Sequence, residues 1–353
     1  MDVLTTRLCE MLDIKIPIMQ AGMSLVATPE LVAAVSNAGA LGVLGSGLHR
    51  ANPEGLRESI AAVRKLTDRP FGVDVGFASA YTDPGALRQR AEEMLSALPA
   101  EEREPASRVL ENLTPDSPQR LVEICADERV SVVVSSLGSP GPWVDSLHRS
   151  GVKVFSLIGS FRQALKVADA GVDAVVATGS EAGGHTGTVG SLSLWNACAR
   201  ELDIPVIAAG GVVDGRSLAA ALVLGCVGAW VGTRFVVTNE AHAHEDTKRL
   251  YTQLTVDDFV ITRSFTGKTM RAARNRWVDD WKAREGEILP FPLQLITAGG
   301  STRGLWEGDI ETGGIPGGQG AGLISEVLPA GTVVERMAAE ARAVLASPPG
   351  LQR

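Results

Sequence analysis

Short apolar segments alternate with amphipathic segments along most of this chain. Eight of the apolar segments are rich in Val, Ile and Ala and lack polar alternation, which is typical of parallel strands buried on both faces. Such strands need a long crossover between them, and the intervening segments are long enough to supply one. The predicted strands cover 16–20, 41–45, 71–76, 130–135, 152–158, 173–178, 205–209 and 229–233.

Helix signals lie between the predicted strands. Pro29 and Pro53 each follow a residue that can cap a helix, as is common for proline at the first helical position. Ser160 is a third capping candidate, and glycine follows several of these segments, as expected at helix C-termini. The predicted helices cover 29–38, 53–66, 161–170, 192–202 and 216–224, with a closing helix over 330–345.

Alternation of eight strands with helices predicts an α/β protein with a (β/α)₈ TIM barrel over residues 1–239. A doubly wound open sheet is the alternative, because periodicity alone does not show closure. Segment 78–118 is polar and is predicted to be an insertion after the third strand. Segment 240–322 is predicted to be a helical lid or subdomain, and 323–353 to return to the barrel as a helix.

Composition and charge exclude several classes of protein. The chain has 353 residues, of which 45% are hydrophobic and 21% charged, so it is neither disordered nor collagen-like. Its net charge of −8 argues against a nucleic acid or an anionic membrane as the main partner, and favours a small-molecule substrate. Four widely spaced cysteines form no CxxC pair, which is typical of a reducing compartment.

The N-terminal segment and the longest uncharged stretch indicate where in the cell the protein is expected. The N-terminal segment carries charges where a signal peptide needs an apolar run. The longest uncharged stretch, 217–233, is just short of a membrane span and contains three glycines. We therefore expect a cytoplasmic protein.

Glycine is abundant and lies at predicted strand ends, where TIM barrels place their active sites. The chain contains 39 glycines, more than the typical share of about 7%. Gly210 and Gly211 follow the seventh strand, and Gly232 and Thr233 end the eighth, where barrels commonly bind phosphate. Backbone N–H groups would hold the anion there, unless these glycines serve only to tighten turns.

Two neighbouring features could assist such a phosphate site. The predicted helix 216–224 begins just past Gly211, so its positive end could face the anion. Arg234 could add charge, or could equally point outward.

His185 is the main candidate for a catalytic side chain. It lies in the segment GSEAGGHTG, 179–187, which follows the sixth strand and contains four glycines. An imidazole there could act as a general base or as a hydrogen-bond donor to an anion. Glu181 could orient His185 or cap a helix, and we favour the capping role. His242 and His244 are close in sequence, but no third ligand is evident, so we predict no metal site.

Two further segments are candidates for substrate contacts. Segments 78–118 and 240–322 are expected to form the substrate pocket. The run TMRAARNRW, 269–277, could face an anionic substrate or form a solvated helix face, and the solvated face is favoured. Gln319, in the glycine-rich stretch 313–322, could reach the site at the strand ends. The polar and charged residues of the run are Arg271, Arg274, Asn275 and Arg276.

Five motifs occur in an order that resembles the nitronate monooxygenase (2-nitropropane dioxygenase) family. FMN-dependent enoyl reductases and quinone reductases of the same superfamily share much of this order. The resemblance extends over residues 10–340. The motifs are PIMQAGM (17–23), PFGVDV (70–75), GSEAGGHTG (179–187), PVIAAGGVVDGR (205–216) and GAWVGTRF (228–235).

The resemblance implies a TIM barrel with one non-covalent FMN at the carboxyl ends of the strands. His185 matches the family's catalytic histidine, and segment 240–322 would carry the lid and the contacts of a possible homodimer. The ring of the flavin would lie along Gln20, Ala21, Gly22 and Met23, bordered by Gly183 and Gly184. Its phosphate would be held by Gly210, Gly211, Gly232 and Thr233, with Trp230 and Val231 in the adjoining strand.

Two positions depart from the pattern of many relatives. Asp74 stands where asparagine is common, and Thr178 stands where glutamine is common. Both residues are expected to contact the flavin ring. A carboxylate at position 74 would disfavour an anionic reduced flavin unless it is protonated or paired.

Three functions follow from these observations. The family's reaction oxidises alkyl nitronates with O₂ to a carbonyl compound and nitrite. The alternative is an NAD(P)H-dependent FMN reductase of an enoyl thioester or a quinone, in which nicotinamide stacks directly on the flavin. A non-flavin barrel, such as a sugar-phosphate lyase or a binding protein, is disfavoured because no lysine ends a predicted strand.

Overall fold

Eight parallel strands form the wall of a barrel, and three further strands form a separate antiparallel sheet. The computed structural model describes residues 2–24, 26–49, 52–77, 84–99, 103, 107, 117–291, 293–298 and 303–351. In chain order the strands are β1 Ile18–Gln20, β2 Gly42–Gly45, β3 Phe71–Gly76, β4 Val132–Ser136, β5 Lys153–Ile158, β6 Ala174–Thr178, β7 Gly184–His185, β8 Val206–Ala209, β9 Gly228–Val231, β10 Phe259–Thr262 and β11 Met270–Ala273.

The wall closes between its first and last strands. Its strand order is β1-β9-β8-β6-β5-β4-β3-β2, and every pair is parallel. A bridge between Met19 and Leu41 joins β1 to β2. The Gln20 amide strengthens this seam, because its Oε1 accepts from the Val43 N–H at 3.1 Å and its Nε2 donates to the Val43 carbonyl at 3.2 Å. The TIM barrel is thus confirmed and the open sheet is excluded.

Helices surround the barrel wall and continue into the region that follows it. Helix α7 begins as predicted, with the Ser160 hydroxyl accepting from the Gln163 N–H at 3.3 Å. The helices are α1 Arg7–Leu12, α2 Pro29–Asn37, α3 Glu54–Leu66, α4 Pro84–Ala97, α5 Ser117–Asp127, α6 Val144–Arg149, α7 Phe161–Asp169, α8 Ser191–Glu201, α9 Gly215–Val223, α10 Thr233–Val236, α11 Glu245–Tyr251, α12 Arg276–Lys282, α13 Leu293–Thr297, α14 Arg303–Trp306 and α15 Ala330–Ala346.

Both faces of the barrel strands are buried, which explains their lack of polar alternation. Along β4, Val132 and Val134 belong to the core inside the barrel, while Val133 belongs to the core between barrel and helices. Leu8 and Leu12 of α1 pack into the inner core and cover one end of the barrel. Successive side chains on a strand point to opposite faces, so most positions of these strands are apolar.

Helix α15 lies near the end of the described chain and packs back onto earlier helices. It packs against both α2 and α9 and buries Val333, Val334 and Met337 in the outer core. These contacts cover the apolar faces of two helices that lie far apart in sequence.

The region after β9 contains the predicted helices and also an antiparallel hairpin that was not predicted. Helices are present, but β10 and β11 form an antiparallel hairpin, and β11 pairs with β7 through Met270 and His185. The predicted strand 229–233 also ends early, because Thr233 begins α10. Within the predicted insertion 78–118, residues 78–83 and most of 100–116 lie outside the described residues. Over the described residues, no helix is long and apolar enough to cross a membrane.

Candidate active site

A cavity of about 200 Å³ lies at the carboxyl ends of the barrel strands. Among the described residues that line it, none carries a charged carboxylate, ammonium or guanidinium group. The cavity joins the loops after β1, β6, β8 and β9 to the segment before α15. Many of the predicted site residues line it: Ala21, Met23, Thr178, Gly183, Gly184, His185, Gly210, Gly211, Trp230, Gly232 and Thr233.

Four predicted cofactor contacts lie outside the lining of this cavity. The Gln20 side chain is used in the seam between β1 and β2, and Val231 is fully buried in the wall. Asp74 accepts a hydrogen bond from the Ser136 hydroxyl at 2.6 Å, at the end of β4. Gly22 packs directly against Asp74, where a Cβ on the glycine would lie 2.2 Å from the Asp74 Cβ.

Gly210 and Gly211 form a turn that requires glycine. Their φ angles are +93° and +81°, in the region that other residues rarely adopt. A Cβ at Gly210 would lie 2.9 Å from the Gly179 carbonyl oxygen. Within the described chain, no group accepts a hydrogen bond from the backbone N–H of Gly210, Gly211 or Gly232. These amides can therefore donate to an anion that enters the cavity.

Helix α9 and Arg234, the two features that could assist a phosphate site, both have other partners in the structure. The Asp214 side chain accepts from the Ser217 N–H, and Glu340 accepts from the Gly215 N–H, each at 2.8 Å. Two carboxylates thus already occupy the positive end of α9. Arg234 is buried outside the cavity lining. Its guanidinium donates to backbone carbonyls, and burial lowers its pKa to about 10.

His185 lies on the cavity wall and is held by the β10–β11 hairpin. Its Nε2 lies 3.0 Å from the Thr266 Oγ1, and the Phe291 ring meets its ring edge-on at 6.5 Å between centroids. Burial lowers the pKa of His185 to about 4, and the positive charge of Lys268 contributes to the same shift. The imidazole is therefore neutral at pH 7 and can either accept a proton or donate a hydrogen bond.

Glu181 caps a helix, which confirms the favoured prediction. Its carboxylate accepts from the Ser191 N–H at 2.9 Å and from the Ser191 hydroxyl at 2.8 Å, at the start of α8. This anchors the loop between β6 and β7. The loop in turn carries Gly183, Gly184 and His185 to the cavity.

The basic run 269–277 is neither a solvated helix face nor a cluster in the cavity. Arg271 lies on strand β11 and is buried, donating to the Ser180 carbonyl at 3.0 Å and the Phe259 carbonyl at 2.6 Å. Burial lowers its pKa. Arg274 is exposed and pairs with Asp279. Asn275 caps α12, the helix in which Arg276 lies.

The other histidines have structural partners. His244 caps α11 by accepting from the Asp246 N–H at 3.2 Å, and His242 lies 5.8 Å from the Trp306 ring. His148 contacts Asp173 at 2.8 Å. In the part of the chain that the structure describes, no three His, Cys, Asp or Glu residues are grouped to hold a metal ion.

The glycine-rich stretch 313–322 lines part of the cavity through residues that were not predicted, whereas the candidate Gln319 lies outside the lining. The Gly318 N–H donates to the Thr233 hydroxyl at 3.0 Å, and the Gln319 N–H donates to the Glu181 carbonyl at 3.0 Å. Backbone thus packs on backbone, and the run of glycines was the available signal. The unpredicted lining residues are Leu157, Ala182, Ala209, Val212, Val213, Val236, Pro316, Gly318, Gly320 and Ala321.

Burial of His185 predicts a loss of stability in mild acid. Its folded-state pKa of about 4 lies below the ordinary value of 6.5, so the unfolded chain binds more protons between these values. The contribution to the free energy of unfolding is fully present above pH 6.5 and is lost as the pH falls toward 4. From pH 7 to pH 5 we expect a loss of about 2 kcal/mol from this residue, measured by urea denaturation against His185→Gln.

Comparing wild type with His185→Gln removes the contributions of other titratable residues to the pH dependence of stability. His49, for example, also has a pKa lowered by burial, but it is present in both. Equal pH dependence in wild type and His185→Gln would contradict the prediction.

A closed barrel with a glycine-lined cavity and one neutral histidine at its strand ends is the architecture of an α/β-barrel enzyme. The sequence matches the profile of the family described as nitronate monooxygenase over residues 5–340. The chain belongs to this family. Its members are oxidoreductases and are flavin-dependent.

Individual relatives agree with this assignment. The chain is 35% identical to a probable nitronate monooxygenase of Staphylococcus aureus (strain JH9) over 303 residues, which are 82% of this chain and 83% of the relative. Among solved structures, FabK from Thermotoga maritima is 34% identical with a TM-score of 0.83, covering 99% of this chain and 100% of that one. Nitroalkane oxidase from Streptomyces ansochromogenes is 31% identical with a TM-score of 0.80, covering 96% and 99%.

Proposed function

We propose that this protein binds FMN and oxidises alkyl nitronates with O₂, giving a carbonyl compound and nitrite. The observation that carries the proposal is the placement of one neutral imidazole, His185, on the same cavity as a turn of unpaired backbone amides at Gly210 and Gly211. Relatives named nitronate monooxygenase and nitroalkane oxidase support the choice of nitro compounds as substrates.

The turn after β8 fits the phosphate of FMN. The amides of Gly210, Gly211 and Gly232 can donate to phosphate oxygens, since no described residue accepts from them. A side chain at Gly210 would clash with the Gly179 carbonyl. None of the described residues that line the cavity is a cation, so neutral N–H groups and the Thr233 hydroxyl would hold the phosphate.

The remaining walls fit a flat aromatic ring. Ala21, Met23 and Trp230 supply apolar surface to the cavity, and Gly183 and Gly184 add lining without side chains. A Cβ built on Gly184 would meet no atom within 4 Å, so space remains beside this loop for a small substrate. Bound FMN would supply the electron-accepting ring that the protein's own side chains lack.

His185 would act directly on the nitro compound. In its protonated form the imidazole can donate a hydrogen bond to the nitro oxygens of a nitronate, which stabilises the charge on that group. In its neutral form it can accept the α-proton of a neutral nitroalkane and so form the nitronate within the cavity. The apolar surroundings of Met23 and Leu157 favour small alkyl chains over charged substrates.

Anaerobic reduction of the bound flavin separates this function from the alternative reductase. The FMN-loaded protein is mixed with propyl-1-nitronate, NADH or NADPH in a stopped-flow instrument, and flavin absorbance is followed. We expect rapid bleaching by the nitronate, slow or absent bleaching by the nicotinamides, and nitrite release once O₂ is admitted. The reductase would instead be established if a nicotinamide bleaches the flavin, nitronates do not, and an enoyl thioester or a quinone then reoxidises it.

A further inference from the structure

The tip of the β10–β11 hairpin contacts the ring of His185. Residues 263–269 connect β10 to β11, and within them the Thr266 Oγ1 lies 3.0 Å from Nε2 of His185. The hairpin also holds the backbone of the histidine, through the pairing of His185 with Met270 and a hydrogen bond from Thr186 N–H to Thr269 O at 3.4 Å. Backbone and ring of His185 are therefore positioned by one element.

This tip is itself held firmly in place. The Gly267 N–H donates to the Arg263 carbonyl at 2.8 Å across the turn. The buried amide of Gln294 donates to the Ser264 carbonyl at 2.8 Å, from helix α13. Thr266 is thus a fixed point against which the imidazole can be oriented.

The hydrogen bonds of the Thr266 hydroxyl select one tautomer of His185. A hydroxyl has one proton to donate and two lone pairs that accept. Oγ1 accepts from the Lys268 N–H at 3.2 Å and lies 3.3 Å from the Lys268 carbonyl, to which it donates. Its second lone pair is then satisfied only if Nε2 of His185 carries a proton. In the opposite arrangement the hydroxyl would donate to Nε2, leaving one lone pair unused and losing the bond to the carbonyl.

We propose that Thr266 is a positioning residue that keeps the proton on Nε2 of His185 and leaves Nδ1 as the base for neutral nitroalkanes. No described residue makes a hydrogen bond to Nδ1. In the step itself the α-carbon C–H bond breaks and its proton moves to Nδ1. The electron pair of that bond passes into the nitro group, giving a nitronate and an imidazolium whose Nε2–H still donates to Thr266. The proposal rests on the proposed function for its substrate, but not for the tautomer.

Nitrogen NMR of the FMN-loaded protein tests the tautomer directly. Protein labelled with ¹⁵N in its five histidines is compared with His185→Gln to assign the ring signals. We expect wild type to show a protonated Nε2 and an unprotonated Nδ1 at His185. Thr266→Ser should keep this pattern, whereas Thr266→Val should lose it. A protonated Nδ1 in wild type, or an unchanged pattern in Thr266→Val, would overturn the proposal. The wild-type spectrum decides even if the valine variant folds poorly.

Kinetics with two substrates then separate proton abstraction from the later chemistry. With neutral nitroethane, kcat should fall about tenfold in Thr266→Val, the cost of losing one hydrogen bond to a charged ring, and should recover in Thr266→Ser. With preformed ethyl nitronate, kcat should change less than about twofold, because no proton is abstracted. Equal losses with both substrates would reject the positioning role. If wild type oxidises neither substrate, the proposed function fails while the NMR result still decides the tautomer.

Discussion

Replacing His185 by glutamine should lower kcat/KM for a neutral nitroalkane about a thousandfold, in the middle of the range for loss of a general base. Glutamine is long enough to keep a hydrogen bond toward Thr266, but its amide cannot take up a proton. The variant should therefore fold and retain its flavin while losing turnover. The measurement is steady-state nitrite release, with flavin content determined from the absorbance of the purified protein.

The matched control for this variant is His148→Gln. His148 faces Asp173 outside the cavity lining and should change kcat/KM by less than about twofold. If His185→Gln retains full turnover, the imidazole has only a structural role. If it loses flavin together with turnover, the histidine acts in cofactor binding and the assignment as a base is wrong.

Gly211→Ala should abolish retention of FMN. The φ angle of +81° costs an alanine about 1–2 kcal/mol, and the added methyl group would lie in the turn whose amides bind the phosphate. Space alone does not prevent the substitution, because the nearest atom to a Cβ there is the Glu181 Cβ at 3.7 Å. We expect the affinity for FMN to fall about a hundredfold or more, measured by quenching of flavin fluorescence on titration.

Gly171→Ala separates backbone strain from cofactor binding. Gly171 follows α7 with a φ of +87°, and a Cβ there would meet only the Val144 Cγ1 at 3.6 Å. Its substitution should destabilise the protein as much as Gly211→Ala does, without changing the affinity for FMN. Equal loss of flavin in both variants would show that the effect comes from global destabilisation and not from the phosphate turn.

The sequence predicted the barrel because each of its strands is buried on both faces. Uninterrupted apolar segments, glycine after strands and capping residues before helices are local signals, and the structure follows them at β4, α7 and α15. Closure could not be read from these signals. It depends on the pairing of β1 with the start of β2, where backbone hydrogen bonds and the Gln20 side chain join segments that the local pattern does not link.

The cavity was only partly predictable for a similar reason. The glycines after β8 and β9 and the position of His185 were visible as motifs next to strands. The roles of Arg271 and Thr266 could not be predicted, because they depend on the β10–β11 hairpin. The two short strands of this hairpin have a weak alternation, and β11 pairs with β7 across a long sequence separation. The end of α9 looked available for an anion because Glu340, which occupies it, lies 125 residues away in sequence.

Because α15 lies near the end of the described chain, it is synthesised after the barrel strands that it helps to cover. Strands β1 to β9 leave the ribosome well before α15 does, so the strand ladder can assemble while the groove between α2 and α9 is still uncovered. Until Val333, Val334 and Met337 arrive, that groove presents apolar surface to the surroundings, and the Gly215 amide lacks the Glu340 carboxylate. The nascent chain therefore exposes this apolar surface until α15 has been synthesised and packs against it.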